Sequence, residues 1–120
     1  MINESNLESI TSCPQSFVTA LRETLSVIRG KWRMPIIAVL TFGKKRFKEI
    51  ERDLPQISPR MLSQELKELE TAGIVNRTVR DTTPVTVEYE LTASGRRLHK
   101  VIESVIEWGL EHKNENTNGD

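Results

Sequence analysis

Between Ser58 and Gly73 the chain spells out a whole helix, both ends included. Ser58 offers the side-chain oxygen an N-cap needs, and Pro59 suits the first helical position, where no amide hydrogen is required. Gly73 supplies the left-handed stop. Between them Leu62, Leu66 and Leu69 fall at i, i+4 and i+7, one apolar stripe on one side of the helix. Such a helix needs a packing partner along that stripe and leaves its other side to water. The next segment constrains the partner. Residues 74–80 and 86–91 are rich in Val, Thr, Ile and Tyr, and the link Asp81-Thr82-Thr83-Pro84 is turn-forming, so a β-hairpin follows the helix directly.

Upstream, three apolar periods predict three more helices. Phe17, Leu21, Leu25 and Ile28 recur at spacings of four and three after Pro14, and Gly30 ends that run. Trp32, Ile36, Ile37, Val39 and Leu40 mark a second helix, with Pro35 tolerable only in its first turn and Gly43 as its stop. Phe47, Ile50, Glu51 and Leu54 give a short charged helix before Pro55. After the hairpin, Thr92 or Ser94 caps a long last helix. Its residues Leu98, Val101, Ile102, Val105, Ile106 and Trp108 form an apolar face too wide for one small core to cover. Residues 1–12 read as a flexible arm and 112–120 as a disordered tail, leaving one domain over 13–111. The order is three helices, a tight turn, a capped helix, a hairpin and a helix. That is a mainly α fold with a β-hairpin wing, a winged helix-turn-helix.

Charge narrows the function. The 120 residues hold 17 basic and 17 acidic side chains, yet the balance is uneven along the chain. From Arg29 to Arg80 twelve bases meet six acids, leaving +6, whereas from Glu103 onward five acids meet only Lys113. A basic middle suits a polyanion and the acidic end does not. No apolar run approaches the ~20 residues of a membrane helix, and the polar N-terminus does not read as a secretory signal. The single Cys13 cannot form a disulfide within the chain, which fits a reducing compartment, and a cytoplasmic, nucleoid-associated protein is expected. His99 and His112 have neither metal-ligand spacing nor a cysteine pair beside them, so no metal site is expected. The sequence offers no nucleophile–base set and no Gly-rich phosphate loop, and neither catalytic residues nor a cofactor are expected.

The water-facing side of the capped helix carries Arg60, Ser63, Gln64, Lys67 and Thr71, with Ser58 and Pro59 at its entry and Glu65 and Glu68 on its flank. Arg reads guanine and Gln reads adenine through paired hydrogen bonds in the major groove, and the N-terminal half of a recognition helix is the part that reaches base edges. Double-stranded operator DNA is therefore the expected partner. Lys44, Lys45 and Arg46 precede the motif's first helix where phosphates would pass. On the wing, Arg77 and Arg80, with Thr82 and Thr83 at the tip, supply a second contact. The alternative is a winged-helix module that docks a protein through the same faces.

Five segments, taken in order, resemble the HxlR-type winged helix-turn-helix regulators, which are related to the MarR group. They are Gly30-Lys31-Trp32-Arg33, Lys45-Arg46-Phe47-Lys48-Glu49-Ile50, Ile57-Ser58-Pro59-Arg60-Met61-Leu62-Ser63, Leu66-Lys67-Glu68-Leu69-Glu70, and the wing from Pro84 to Thr92 with Gly95 and Trp108-Gly109 behind it. Cys13-Pro14 matches the family's usual start. The resemblance implies a bacterial homodimer, mostly a repressor, built from its first and last helices. Leu98, Val101, Ile102, Val105, Ile106 and Trp108 would then lie in the dimer seam. Trp32 is expected in the core. The chain departs from the family at the wing, where Val85-Thr86 follows the proline in place of the usual arginine or lysine. Cys13, at the positive end of a helix dipole, has the setting of a reactive thiolate, and the resemblance makes it a candidate redox sensor answering oxidants or electrophiles. A small-molecule effector is the other expectation.

Overall fold

A computed structural model describes residues 4–118. Two compact units divide the chain after Gly30, whose φ of +96° is open to glycine at little cost. The first holds α1 (Glu4–Thr11) and α2 (Pro14–Val27), a helical hairpin with Cys13 at its corner. Part of the expected flexible arm is thus helical. Leu7 and Ile10 lie three apart on α1, and Thr11 and Ser12 donate their hydroxyls back to the carbonyls of Glu8 and Ser9, closing the last turn. Residues 1–3 of that arm lie outside the described ones.

The second unit contains α3 (Arg33–Leu40), β1 (Lys45–Arg46), α4 (Phe47–Asp53), α5 (Pro59–Thr71), β2 (Val75–Arg80), β3 (Thr86–Leu91), α6 (Ala93–Arg96) and α7 (Leu98–Asn118). The expected winged helix-turn-helix is present. Its core is Ile36, Ile37 and Leu40 from α3, Ile50 from α4, the Leu62-Leu66-Leu69 stripe of α5, and Ile74, Val75 and Leu91 at the root of the hairpin. Trp32 is only half-buried, with Lys31 Nζ 5.1 Å from its ring centroid.

Both ends of α5 are built as the residue types require. Ser58 accepts a hydrogen bond from the Met61 amide at 3.1 Å. At the other end Ile74 N–H donates to Leu69 and Gly73 N–H to Glu70, the paired bonds of a Schellman stop around Gly73 at φ +78°. The hairpin is antiparallel, with Val75 opposite Leu91 and Arg80 opposite Thr86. A two-residue strand that the sequence did not announce, β1, adds to the free side of β3 and gives the order β1-β3-β2. Thr92 then joins strand to helix. Its hydroxyl donates to the Gly73 carbonyl at 2.7 Å and accepts from the Gly95 amide, capping α6 against the turn that ends α5.

The last helix differs from expectation in two ways. It breaks at Arg97 into α6 and α7, and α7 stays helical to Asn118 instead of dissolving after residue 111. Local pairs hold its polar end. Trp108 stacks on His112 with centroids 4.9 Å apart, Asn116 lies 3.1 Å from His112 Nε2, and Thr117 donates to the Lys113 carbonyl. The last two residues of the expected tail lie outside the described ones. Among the described residues no helix is long and apolar enough to cross a membrane, and no group of His, Cys, Asp or Glu is placed to hold a metal.

Candidate nucleic-acid interface

Burying the leucine stripe of α5 turns its opposite side outward. Ser58, Pro59, Arg60, Ser63, Gln64, Lys67 and Thr71 are all exposed. Two of them have local duties, since Ser58 caps the helix and Thr71 donates its hydroxyl to the Lys67 carbonyl. Among the described residues, none forms a hydrogen bond or ion pair with the side chains of Arg60, Gln64 or Lys67. The face is therefore a row of unspent donors.

Its borders are acidic, and the acids are managed differently on the two sides. Glu65 and Glu68 both accept from Arg33, the first residue of α3, with Arg33 Nε 3.1 Å from Glu65 and a second guanidinium nitrogen on Glu68. Partial burial works against the Arg33 charge, and the hydrogen bonds to Glu68 and Glu65 outweigh it, raising the guanidinium pKa. On the other side Glu70 shares a cleft of about 280 Å³ with Ser63, Lys67, Arg77 and Tyr89. Arg77 sits opposite Tyr89 in the hairpin register, so the cleft joins recognition helix to wing. Sequence reasoning did not single out Glu70, although it lies only about 20° from Ser63 around the helix.

The remaining basic candidates are less free than the charge count suggests. Arg80 Nε donates to Glu88 at 2.8 Å, and Lys44 Nζ reaches the same oxygen at 4.0 Å. The Arg80 hydrogen bond, more than the added charges of Arg80, Lys44 and Arg46, holds the Glu88 carboxyl below its usual range against partial burial. Lys45 Nζ lies 3.8 Å from Asp53. Arg46 is exposed, and its amide donates to Glu49 at the start of α4. At the wing tip Thr82 donates its hydroxyl to the Pro84 carbonyl, closing the turn, and Thr83 precedes the cis peptide to Pro84. The structure brings Arg77 to the recognition face and ties Arg80 and Lys44 together through Glu88.

A model of the HxlR-like helix-turn-helix matches residues 27–117. The chain belongs to the HxlR-like helix-turn-helix family. It is 44% identical over 95 residues to the HTH-type transcriptional regulator YtcD of Bacillus subtilis, covering 79% of this chain and 75% of that one. A regulator of the MarR family from Enterococcus faecalis superposes with a TM-score of 0.77 at 33% identity, over 90% of this chain and 96% of that one. The HTH-type regulator YodB of Bacillus subtilis is 42% identical over 98 residues, covering 82% and 83% of the two chains. YodB has been solved with quinone bound, and that structure matches with a TM-score of 0.67 at 37% identity, over 82% of this chain and 99% of that one. These relatives are named as transcriptional regulators.

Two further features of this HxlR-like chain lie outside the exposed side of α5. Cys13 occupies the N-cap position of α2, half-buried, with its Sγ 3.1 Å from Ser16 Oγ. The Ser16 hydroxyl, then the Ser16 amide and, more weakly, the Gln15 amide, favour the thiolate and lower the thiol pKa from the ordinary 9.0, while burial opposes them. The other feature is bare apolar surface. On α2 Phe17, Val18, Leu21 and Leu25 are exposed, and none of the helix's residues is buried. On α7 Val101, Val105, Ile106 and Trp108 are exposed, Trp108 by 65%, while Leu98 and Ile102 are half-buried.

Proposed function

We propose that this chain is a sequence-specific DNA-binding transcriptional regulator, a repressor acting as a homodimer on an inverted-repeat operator. The observation that carries the reading is the exposed row Arg60-Gln64-Lys67, unpaired among the described residues, on a helix whose two ends and buried stripe fix which side faces out. Arg60 and Gln64 lie in the N-terminal half and read bases, while Ser63, Lys67 and Thr71 serve the groove and its phosphates. Arg46 and Arg77 add phosphate contacts. Lys44, Lys45 and Arg80 contribute through what their acid partners release, and Thr82 and Thr83 set the shape of the wing. A protein-docking module would have no use for a Gln–Arg reading pair flanked by free lysine, and its affinity would not follow the salt law of a polyanion.

A second copy supplies what the apolar faces lack. Leu98, Val101, Ile102, Val105, Ile106 and Trp108 form the seam. Two-fold symmetry then sets the recognition helices about 34 Å apart, one turn of B-DNA. Cys13 is the sensor. Its lowered pKa favours the nucleophilic thiolate, which adds to a quinone ring carbon while the quinone oxygen takes up a proton, or forms a disulfide with another thiol when an oxidant such as diamide accepts the two electrons and two protons. As the chain has no second cysteine, that thiol belongs to the other subunit or to a small molecule. The quinone-bound relative supports this assignment by analogy. The test is selection of duplexes from a random pool, followed by binding with and without diamide beside a Cys13→Ser control. Palindromic selection and an affinity that diamide changes only in the wild type are expected. No enrichment would remove the DNA reading, and unmodified Cys13 with unchanged affinity would remove the sensor.

A further inference from the structure

The recognition face is clear of free carboxylates on its Gln64 side only because another helix restrains them. Around α5, Glu68 lies about 40° from Gln64 and Glu65 about 60° beyond Glu68, so Glu68 borders the reading arc directly. Glu68 is also the more open of the two, its side chain 44% exposed against 22% for Glu65, while Arg33 is 14% exposed. One guanidinium serves both, giving Nε to Glu65 and a terminal nitrogen to Glu68. The planar fork of arginine can place separate donors on two acceptors in a fixed plane, and a lysine ammonium cannot reproduce that geometry. Arg33 comes from thirty-odd residues upstream, so the clamp exists only in the folded unit.

We propose that Arg33 is a positioning residue for DNA recognition, holding Glu65 and Glu68 against the protein so that neither carboxylate opposes the phosphates beside Gln64. The inference rests on α5 being the DNA-reading helix. Arg33 itself lies under the helix and makes its contribution through the two acids. Without it, the flank carries two uncompensated negative charges, and Glu68 is free to swing toward the groove. The cost is electrostatic, so it must shrink as salt rises, whereas a misplaced or loosened helix would lose affinity at every salt concentration.

A double-mutant cycle separates these cases. Arg33→Met is made in the wild type and in the Glu65→Gln/Glu68→Gln background, and Arg33→Lys is carried through the same cycle in case Met at this site unfolds the unit. Binding is read by fluorescence anisotropy on the pool-selected duplex and on a random one of about 30 base pairs, with thermal melts confirming folded protein. A carboxylate released beside the phosphates offsets about one phosphate contact and lowers the log–log salt slope by about 0.9, and the double-glutamine background has no carboxylate to release. Arg33→Met should therefore weaken binding at 50 mM salt, and the deficit should narrow by about 3.5-fold by 200 mM. In the double-glutamine background the same substitution should cost less than about twofold, and lysine should fall between. An equal loss in both backgrounds, or a loss unmoved by salt, would overturn the inference. A wild type with no affinity for either duplex would remove the DNA reading and this inference with it. Wild-type binding without coupling would remove the inference alone.

Discussion

Replacing Glu88 with glutamine should tighten DNA binding, although the substitution touches nothing on the recognition helix. Glu88 occupies two cations beside the wing, Arg80 at 2.8 Å and Lys44 at 4.0 Å, and both are about half exposed. Its pKa is depressed, so the pair is intact above the ordinary value of 4.5 and is lost only as pH falls through a value below that. Across the working range of pH the carboxylate therefore stays charged and competes with phosphate. Glutamine removes that competition while keeping size and a hydrogen-bonding oxygen. Each cation released to the DNA steepens the log–log salt slope by about 0.9, so freeing Arg80 alone adds about 1 and freeing both adds about 2. A fourfold drop in salt then multiplies the variant's advantage by about 3.5 for one cation or about 12 for two. Anisotropy titrations on a random duplex at 50, 100 and 200 mM salt read this directly, and the gain should be flat between pH 6 and 8. A variant with wild-type affinity and slope would refute the reasoning and leave Arg80 and Lys44 as parts of the wing's own framework.

Other consequences follow from single contacts. Gly95→Ala puts a Cβ into the Ile74 carbonyl oxygen and within 3.1 Å of Leu91, so the gain in helix propensity is outweighed and stability should fall by about 1–3 kcal/mol in a urea melt; an unchanged midpoint would contradict the packing. Ser16→Ala removes the main support of the Cys13 thiolate, so alkylation by iodoacetamide near neutral pH should slow and its pH midpoint should move up toward 9.0. The same midpoint in both proteins would mean that the hydroxyl does not stabilise the anion. Val105→Glu should leave monomers in sedimentation while the fold persists, because the side chain is exposed within one chain. A wild type that is itself monomeric at micromolar concentration would end the dimer account.

What the sequence discloses here follows how local the cause is. Helix α5 was legible to the residue, because its cap, its stripe and its glycine stop act within a few positions of one another. The hairpin was legible for the same reason. Strand β1 was not, since two residues carry no period and Lys45 and Arg46 become a strand only by finding Tyr89 and Glu88. The helix Glu4–Thr11 escaped notice because Leu7 and Ile10 are too few to outweigh a polar segment, and α7 outran its apolar face on contacts between its own polar residues. Electrostatics hid most. Counting bases and acids gave the right sign for the middle of the chain, but the partners of Arg33 lie 32 and 35 positions away and that of Lys44 lies on the wing. Which cations remain available to DNA is a property of the fold.

The measurement that tests the central claim most directly compares Gln64→Ala with the wild type on two duplexes, the pool-selected operator and a random sequence. If α5 reads bases through its exposed arc, losing the amide should cost about 1–3 kcal/mol on the operator and little on random DNA, with the salt slope unchanged. Arg60→Ala should behave alike, apart from one unit of slope lost with its charge. An equal loss on both duplexes for Gln64→Ala, or none on either, would mean that this helix does not read sequence.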